Sequence, residues 1–85
     1  PRVLAYITAY RDADALAHCL AAIAAQTRPI DRILVVDNSP APLELSPRPS
    51  VAILHCPDNV GVAGGWAIAL EQAIAQGYDL LWLLD

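Results

Sequence analysis

Four short runs of almost wholly apolar residues punctuate the chain, at 3–8, 33–36, 51–55 and 80–84, without polar alternation inside them. Continuous apolar runs of this length suit strands buried on both faces, as in a parallel sheet. Between the first two, Leu16, Cys19, Leu20 and Ile23 recur at helical spacing on an alanine-rich background. That pattern predicts an efficient helix with a narrow packing stripe. Asp12 stands where its cap belongs, and Thr27, Arg28 and Pro29 end it. The turn signal Asp37-Asn38-Ser39-Pro40 closes the second strand. Pro40, Pro42, Pro47 and Pro49 make a regular crossover helix over 38–50 improbable, so an irregular loop is expected there. A second helix is predicted over 61–76, with Ala63, Trp66, Ala67, Leu70 and Ile74 on its inner face and Gly77 at a left-handed C-cap.

Apolar strands alternating with helices imply an α/β domain, a parallel sheet with helices on its faces. Right-handed crossovers then favour the strand order 3-2-1-4. Ligands in such sheets bind beyond the carboxyl ends of the strands, where the order reverses. Thr8, Ala9, Tyr10, Arg11 and Asp12 fall there, as do Asp37, Asn38, Ser39 and Asp85. With Asp12 taken up as a helix cap, the carboxylates of Asp37 and Asp85 and the Tyr10 ring are thus expected to converge on one crevice. Tyr10 either lies against a nucleobase or wedges the first helix against the sheet. Asp37 either accepts the N3–H of uracil or thymine, which cytosine cannot donate, or closes an Asx-turn. Asp85 is a ribose or metal contact, or an ordinary turn acid. Hard oxygen ligands suit Mg²⁺ or Mn²⁺, which would neutralise a departing diphosphate. The segment from Asn59 to Trp66 carries Gly61, Gly64 and Gly65. It is either a phosphate loop, though without the G-x-G-x-x-G spacing or a following Lys, or a tight turn with close helix packing.

With 85 residues, 56% of them hydrophobic and only 16% charged, the chain is a single unit richer in core-forming residues than its size needs. The run 79–85 stops inside an apolar strand, so residues 1–85 read as the front half of a larger domain. Strand 80–84 is then an open edge that invites self-association near Trp82. The net charge is −4, and every base is an arginine: Arg2, Arg11, Arg28, Arg32 and Arg48. Such a chain lacks the clustered cations that nucleic-acid binding needs. Cys19 and Cys56 have no metal-ligand spacing and read as buried thiols of a cytosolic protein, with a disulfide as the alternative. No apolar stretch is long enough to span a membrane and no signal segment is present. The expected location is cytoplasmic, with any contact to the inner membrane surface left to a missing part.

The ordered set of segments resembles the nucleotide-binding half of the family 2 glycosyltransferases, which have the Rossmann-like GT-A fold. Ile7-Thr8-Ala9-Tyr10-Arg11-Asp12 is similar to the family's first-strand motif, usually Pro-Ala-Tyr-Asn-Glu or Thr-Tyr-Asn-Arg. Residues 20–26 resemble its "cL.si..Q" helix, 33–39 its "iivVDnsS" strand and 59–66 its "N.G.AGG" segment. Leu83-Leu84-Asp85 looks like the start of its L-D-x-D motif. The glycine segment most resembles the rhamnosyl- and galactofuranosyl-transferase branch.

The resemblance implies a nucleotide site in which Thr8 and Tyr10, with Ala9 between them, flank uracil or thymine and Asp37 reads its N3–H. Gly65 and Trp66 would lie near the nucleotide, and Asp85 would be the first acid of the metal motif, near ribose and a Mg²⁺ or Mn²⁺ ion. Arg11 stands where Asn is usual, Trp66 where a basic residue often sits, and Ala67 where Asn is common. The implied activity is inverting transfer of a sugar from a UDP- or dTDP-sugar to a hydroxyl of a glycan or lipid-linked acceptor. The catalytic base would follow residue 85, so these residues alone should be inactive. A flavodoxin-like receiver domain is the rival outside catalysis, but it needs a late Lys, and this chain has no Lys. A Rossmann dehydrogenase would need glycines after the first strand, where 8–12 has none.

Overall fold

The apolar runs become strands β1 (Val3–Ala9), β2 (Arg32–Asp37), β3 (Val51–His55) and β4 (Leu80–Leu84), joined by helices α1 (Ala13–Ala24) and α2 (Gly61–Ala75). The computed structural model describes residues 1–26, 30–45, 48–56 and 58–84. All strand pairs are parallel and the order is β3-β2-β1-β4, as expected from the sequence. The register sets Ala9 beside Asp37 and Asp37 beside His55, so three strands end at one level.

The two faces of the sheet are covered by different helices. On one, Leu16, Leu20 and Ile23 of α1 pack with Ala5, Ile7, Ala9, Ile33 and Val35, and Cys19 joins them half-buried. This is the stripe that the spacing predicted. The Asp12 carboxylate caps the helix by accepting from the Ala15 N–H at 2.9 Å. The expected stop at Thr27, Arg28 and Pro29 lies outside the described residues. On the other face, Ala69 and Ala73 of α2 pack against Leu4, Tyr6, Leu34 and Val36. Cys56 packs on this side, so the free thiols Cys19 and Cys56 are separated by the sheet.

The inner face of α2 is not the one expected. Gly65, Ala69 and Ala73, spaced four apart, are buried, whereas Ala63, Trp66 and Ala67 are exposed, Leu70 is half-buried and Ile74 is 73% exposed. The helix is apolar almost all round, so periodicity could not choose a face. The sheet chose by size: Tyr6 projects from β1 into the space the helix would fill, and only small residues let the backbone come that close. Gly77 does adopt the left-handed conformation expected after the helix, at φ 73°.

Among the described residues of 38–50 no helix forms, as the prolines implied, and Leu43 and Leu45 lay the loop against the α1-side core. The outer strands are β3 and β4, which expose Ile53 and Leu54 on one side and Leu80, Trp82 and Leu83 on the other. No helix among the described residues is long and apolar enough to cross a membrane.

Candidate functional site

At the carboxyl edge of the sheet the chain leaves β1 through Tyr10 and Arg11, leaves β2 through Asp37, Asn38 and Ser39, and enters α2 through Asn59 and Val60. A crevice of about 290 Å³ opens between them, lined by Thr8, Ala9, Tyr10, Asn38, Asn59 and Gly61. A smaller hollow of about 180 Å³ lies toward α1, where Thr8, Ala9 and Tyr10 recur beside Asp12, Leu16 and Cys19. The end of β1 is therefore the wall common to both. Tyr10 is 50% exposed, with the Arg11 guanidinium over its ring at 5.0 Å from the centroid.

The crevice walls are tied together by the buried turn after β2. The Asn38 N–H donates to the Ala9 carbonyl at 2.8 Å, and its side-chain Oδ1 accepts from the Val60 N–H at 3.1 Å. The Ser39 hydroxyl oxygen accepts from the Arg11 N–H at 2.7 Å. Asn59 Oδ1 accepts from the Gly61 N–H at 3.0 Å. Arg11, Asn59 and Gly61 all have positive φ (58°, 51° and 71°), conformations that glycine and asparagine take readily and arginine does not. The Ser39 bond helps to hold Arg11 there.

Asp37 is the anchor of this turn. It is 1% exposed; its Oδ1 accepts from the Ser39 N–H at 3.0 Å and its Oδ2 from the Leu43 N–H at 2.9 Å. Burial by itself would raise its pKa. Hydrogen bonds from the Ser39 side chain and from the Leu43 and Ser39 backbone, with His55 nearby, outweigh burial and hold the carboxyl below the usual carboxylate range. His55 Nδ1 lies 3.6 Å from Asp37 Oδ2, too far for a hydrogen bond, and this buried nitrogen has no hydrogen-bond partner among the described residues.

Of the residues singled out in the sequence, Thr8, Ala9 and Tyr10 line the crevice together. Asp37 lies in the same turn but does not line it, its carboxylate being turned into the loop. The convergence of that carboxylate with Tyr10 on one crevice is therefore not what the structure shows. Gly65 faces the sheet, where an added Cβ would overlap the Tyr6 hydroxyl, and Trp66 lies on the exposed side of α2. Asp85 lies outside the described residues. Among the described residues no three His, Cys, Asp or Glu side chains gather as a metal site. Asn38, Asn59 and Gly61 also line the crevice; the sequence placed Asn38 at the strand ends and Asn59 and Gly61 in a candidate phosphate loop, without naming any of them as a nucleotide contact. Their geometry depends on β2 and α2 being brought together, which local pattern does not encode.

The profile of the family described as Glycosyl transferase family 2 matches residues 5–85. The chain is 38% identical over 89 aligned positions to the galactofuranosyltransferase GlfT1 of Mycobacterium tuberculosis and 39% identical over 88 to that of Mycolicibacterium smegmatis, with 98% of the chain covered in both. It spans 29% of the length of these relatives. No solved structure matches it significantly. A parallel 3-2-1-4 sheet with a crevice at the carboxyl ends of its strands, and a profile match that begins within β1, place the chain in glycosyltransferase family 2.

Proposed function

We propose that this chain is the donor-nucleotide-binding part of an inverting glycosyltransferase that uses a UDP- or dTDP-sugar. The observation that carries the reading is the crevice of Thr8, Ala9, Tyr10, Asn38, Asn59 and Gly61 at the carboxyl ends of the strands. It has an exposed aromatic ring to stack on a base and polar groups from two elements to orient it. The names of the relatives suggest galactofuranose as the sugar. The acceptor in this reading is a hydroxyl of a glycan or lipid-linked glycan. In the reaction proposed, an acceptor hydroxyl oxygen bonds to the anomeric carbon in line as the bond to the diphosphate oxygen breaks. The hydroxyl proton passes to a base that this chain does not assign.

A direct contact from Asp37 to the base N3–H requires the 38–43 loop to yield, because the side chain is buried there; the carboxylate oxygens, each already accepting one backbone N–H, still have lone pairs to offer. Asn38 is the side chain of the same turn that lines the crevice. A divalent Mg²⁺ or Mn²⁺ ion at Asp85 belongs to the same proposal; it would neutralise charge on the leaving diphosphate. The described residues supply no ligand set for it.

The reading is tested by calorimetry with UDP, dTDP, CDP and ADP. UDP or dTDP should bind at least about tenfold more tightly than CDP, the worth of one discriminating hydrogen bond. Tyr10→Ala should weaken UDP by about 1–3 kcal/mol, the range for loss of a base-stacking aromatic. Equal affinity for all four nucleotides would remove base recognition from this crevice.

Self-association belongs to the proposal as well. Strand β4 is an edge with Leu80, Trp82 and Leu83 exposed, and unpaired edge groups beside apolar side chains favour pairing with another chain. Light scattering on residues 1–85 should report a dimer or larger species, with Trp82 emission changing on dilution. A monomer at high concentration with Trp82 shielded from a soluble quencher would contradict this.

A further inference from the structure

The described arginines divide between the two ends of the sheet. Arg2 precedes β1, with its guanidinium over Tyr78 at 4.3 Å and donating to the Gln76 carbonyl at 2.7 Å. Arg32 opens β2, and Arg48 precedes β3, where its carbonyl accepts from the Val51 N–H. All three stand at the amino ends of strands. Arg11 alone, among the described residues, brings a guanidinium to the carboxyl ends, where Asp12, Asp14, Asp37 and Asp58 otherwise make the field negative. Arg11 does not itself line the crevice, but its guanidinium lies over Tyr10, which does, so an anionic ligand held against Tyr10 has one permanent cation close by.

That cation is held in a particular way. Arg11 has φ 58°, its N–H is fixed by the Ser39 hydroxyl at 2.7 Å, and its guanidinium lies over the Tyr10 ring. A left-handed residue directly after Tyr10 turns the chain sharply, and the Tyr10 ring lines the crevice with the Arg11 cation against the ring. A ring-stacked guanidinium keeps its planar fork of donors, which matches two phosphate oxygens at once.

We propose that Arg11 is the diphosphate-binding residue of this site, a specificity determinant for charged nucleotides over nucleosides. The proposal rests on the reading of the crevice as a nucleotide site. Tyr10 would recognise the base and Arg11 the charge, with Ser39 as the positioning residue that couples them.

Calorimetry with UDP, UMP and uridine on the wild type, Arg11→Asn and Arg11→Lys tests it. Asn suits this position because it accepts positive φ, so the fold is kept while the charge is lost. Arg11→Asn should weaken UDP by about tenfold, the worth of a charge-assisted hydrogen bond, and leave uridine within about twofold. Arg11→Lys should fall between the wild type and Arg11→Asn for UDP, and the advantage of UDP over uridine in the wild type should shrink as salt is raised. The thermal midpoint of Arg11→Asn should not fall. Equal losses for UDP and uridine, or none for either, would overturn the diphosphate role while leaving the nucleotide site standing. A wild type that binds uridine as tightly as UDP would do the same. A wild type that binds neither would overturn the nucleotide reading and this proposal with it.

Discussion

Gly65→Ala should destabilise the fold by about 3 kcal/mol, the upper part of the usual range for overpacking a close-packed site. A Cβ at Gly65 would overlap the Tyr6 hydroxyl and sit 3.1 Å from the ring carbon that bears it. Tyr6 is 3% exposed in the middle of β1, flanked by β2 and β4 through Leu34 and Leu83, so the ring has little room to retreat. The helix would have to lift instead, and its first turn carries Gly61 into the crevice wall. Tyr6→Phe in the same chain should recover part of the loss, since it removes the overlapped oxygen but leaves the ring carbon close. The double-mutant cycle from denaturant unfolding should therefore show a favourable coupling of 1 kcal/mol or more, about what neighbouring core sites give. A Gly65→Ala protein as stable as the wild type, or a cycle with no coupling, would show that α2 does not depend on this close approach. Because Gly65 sits on the sheet face, UDP affinity should fall only as far as the lifted helix distorts the crevice.

The same glycine shows where sequence pattern reaches its limit. The strands, the 3-2-1-4 order, the α1 stripe and the loop over 38–50 were legible because each follows from local rules: apolar runs, a cap at Asp12, prolines and right-handed crossovers. The face of α2 was not, because nearly every residue of that helix is apolar and the deciding fact is the size of Tyr6 on another element. The candidate site divides the same way. Thr8, Ala9 and Tyr10 follow β1 directly, so placing the strand placed them. Whether Asp37 faces a ligand or its own loop depends on where residues 39–43 fold back, and the Leu43 N–H that takes its second oxygen is six residues away in a proline-rich stretch. The receiver and dehydrogenase alternatives fall with the family match rather than with the topology, since all of these folds share parallel sheets with a site at the carboxyl edge.

Asp37→Ala should cost at least about 2 kcal/mol, since two backbone N–H groups lose their acceptor and each unsatisfied buried group is worth about 1–3 kcal/mol. The Ser39 N–H is one and the Leu43 N–H the other. The effect carries a pH signature with a fixed sign. In the fold the carboxyl is held below its usual value, so the unfolded chain takes up the proton first as pH falls. The stabilisation from Asp37 is therefore complete above the unfolded-state pKa of about 3.9 and is lost as pH drops below it through the folded value. Asp37→Asn keeps the shape of the side chain but has no charge to lose. Its stability deficit relative to the wild type should shrink as pH is lowered from 6 to 3, and an unchanged deficit would show that the charge of Asp37 is not what holds the turn. Measured beside UDP and CDP binding, the same variant separates the two roles of this residue. If the carboxylate only anchors the loop, Asp37→Asn weakens UDP and CDP by the same factor, because both meet the same loosened wall. If the loop yields and the carboxylate meets the base N3–H, UDP loses affinity and CDP, which has no such proton, does not.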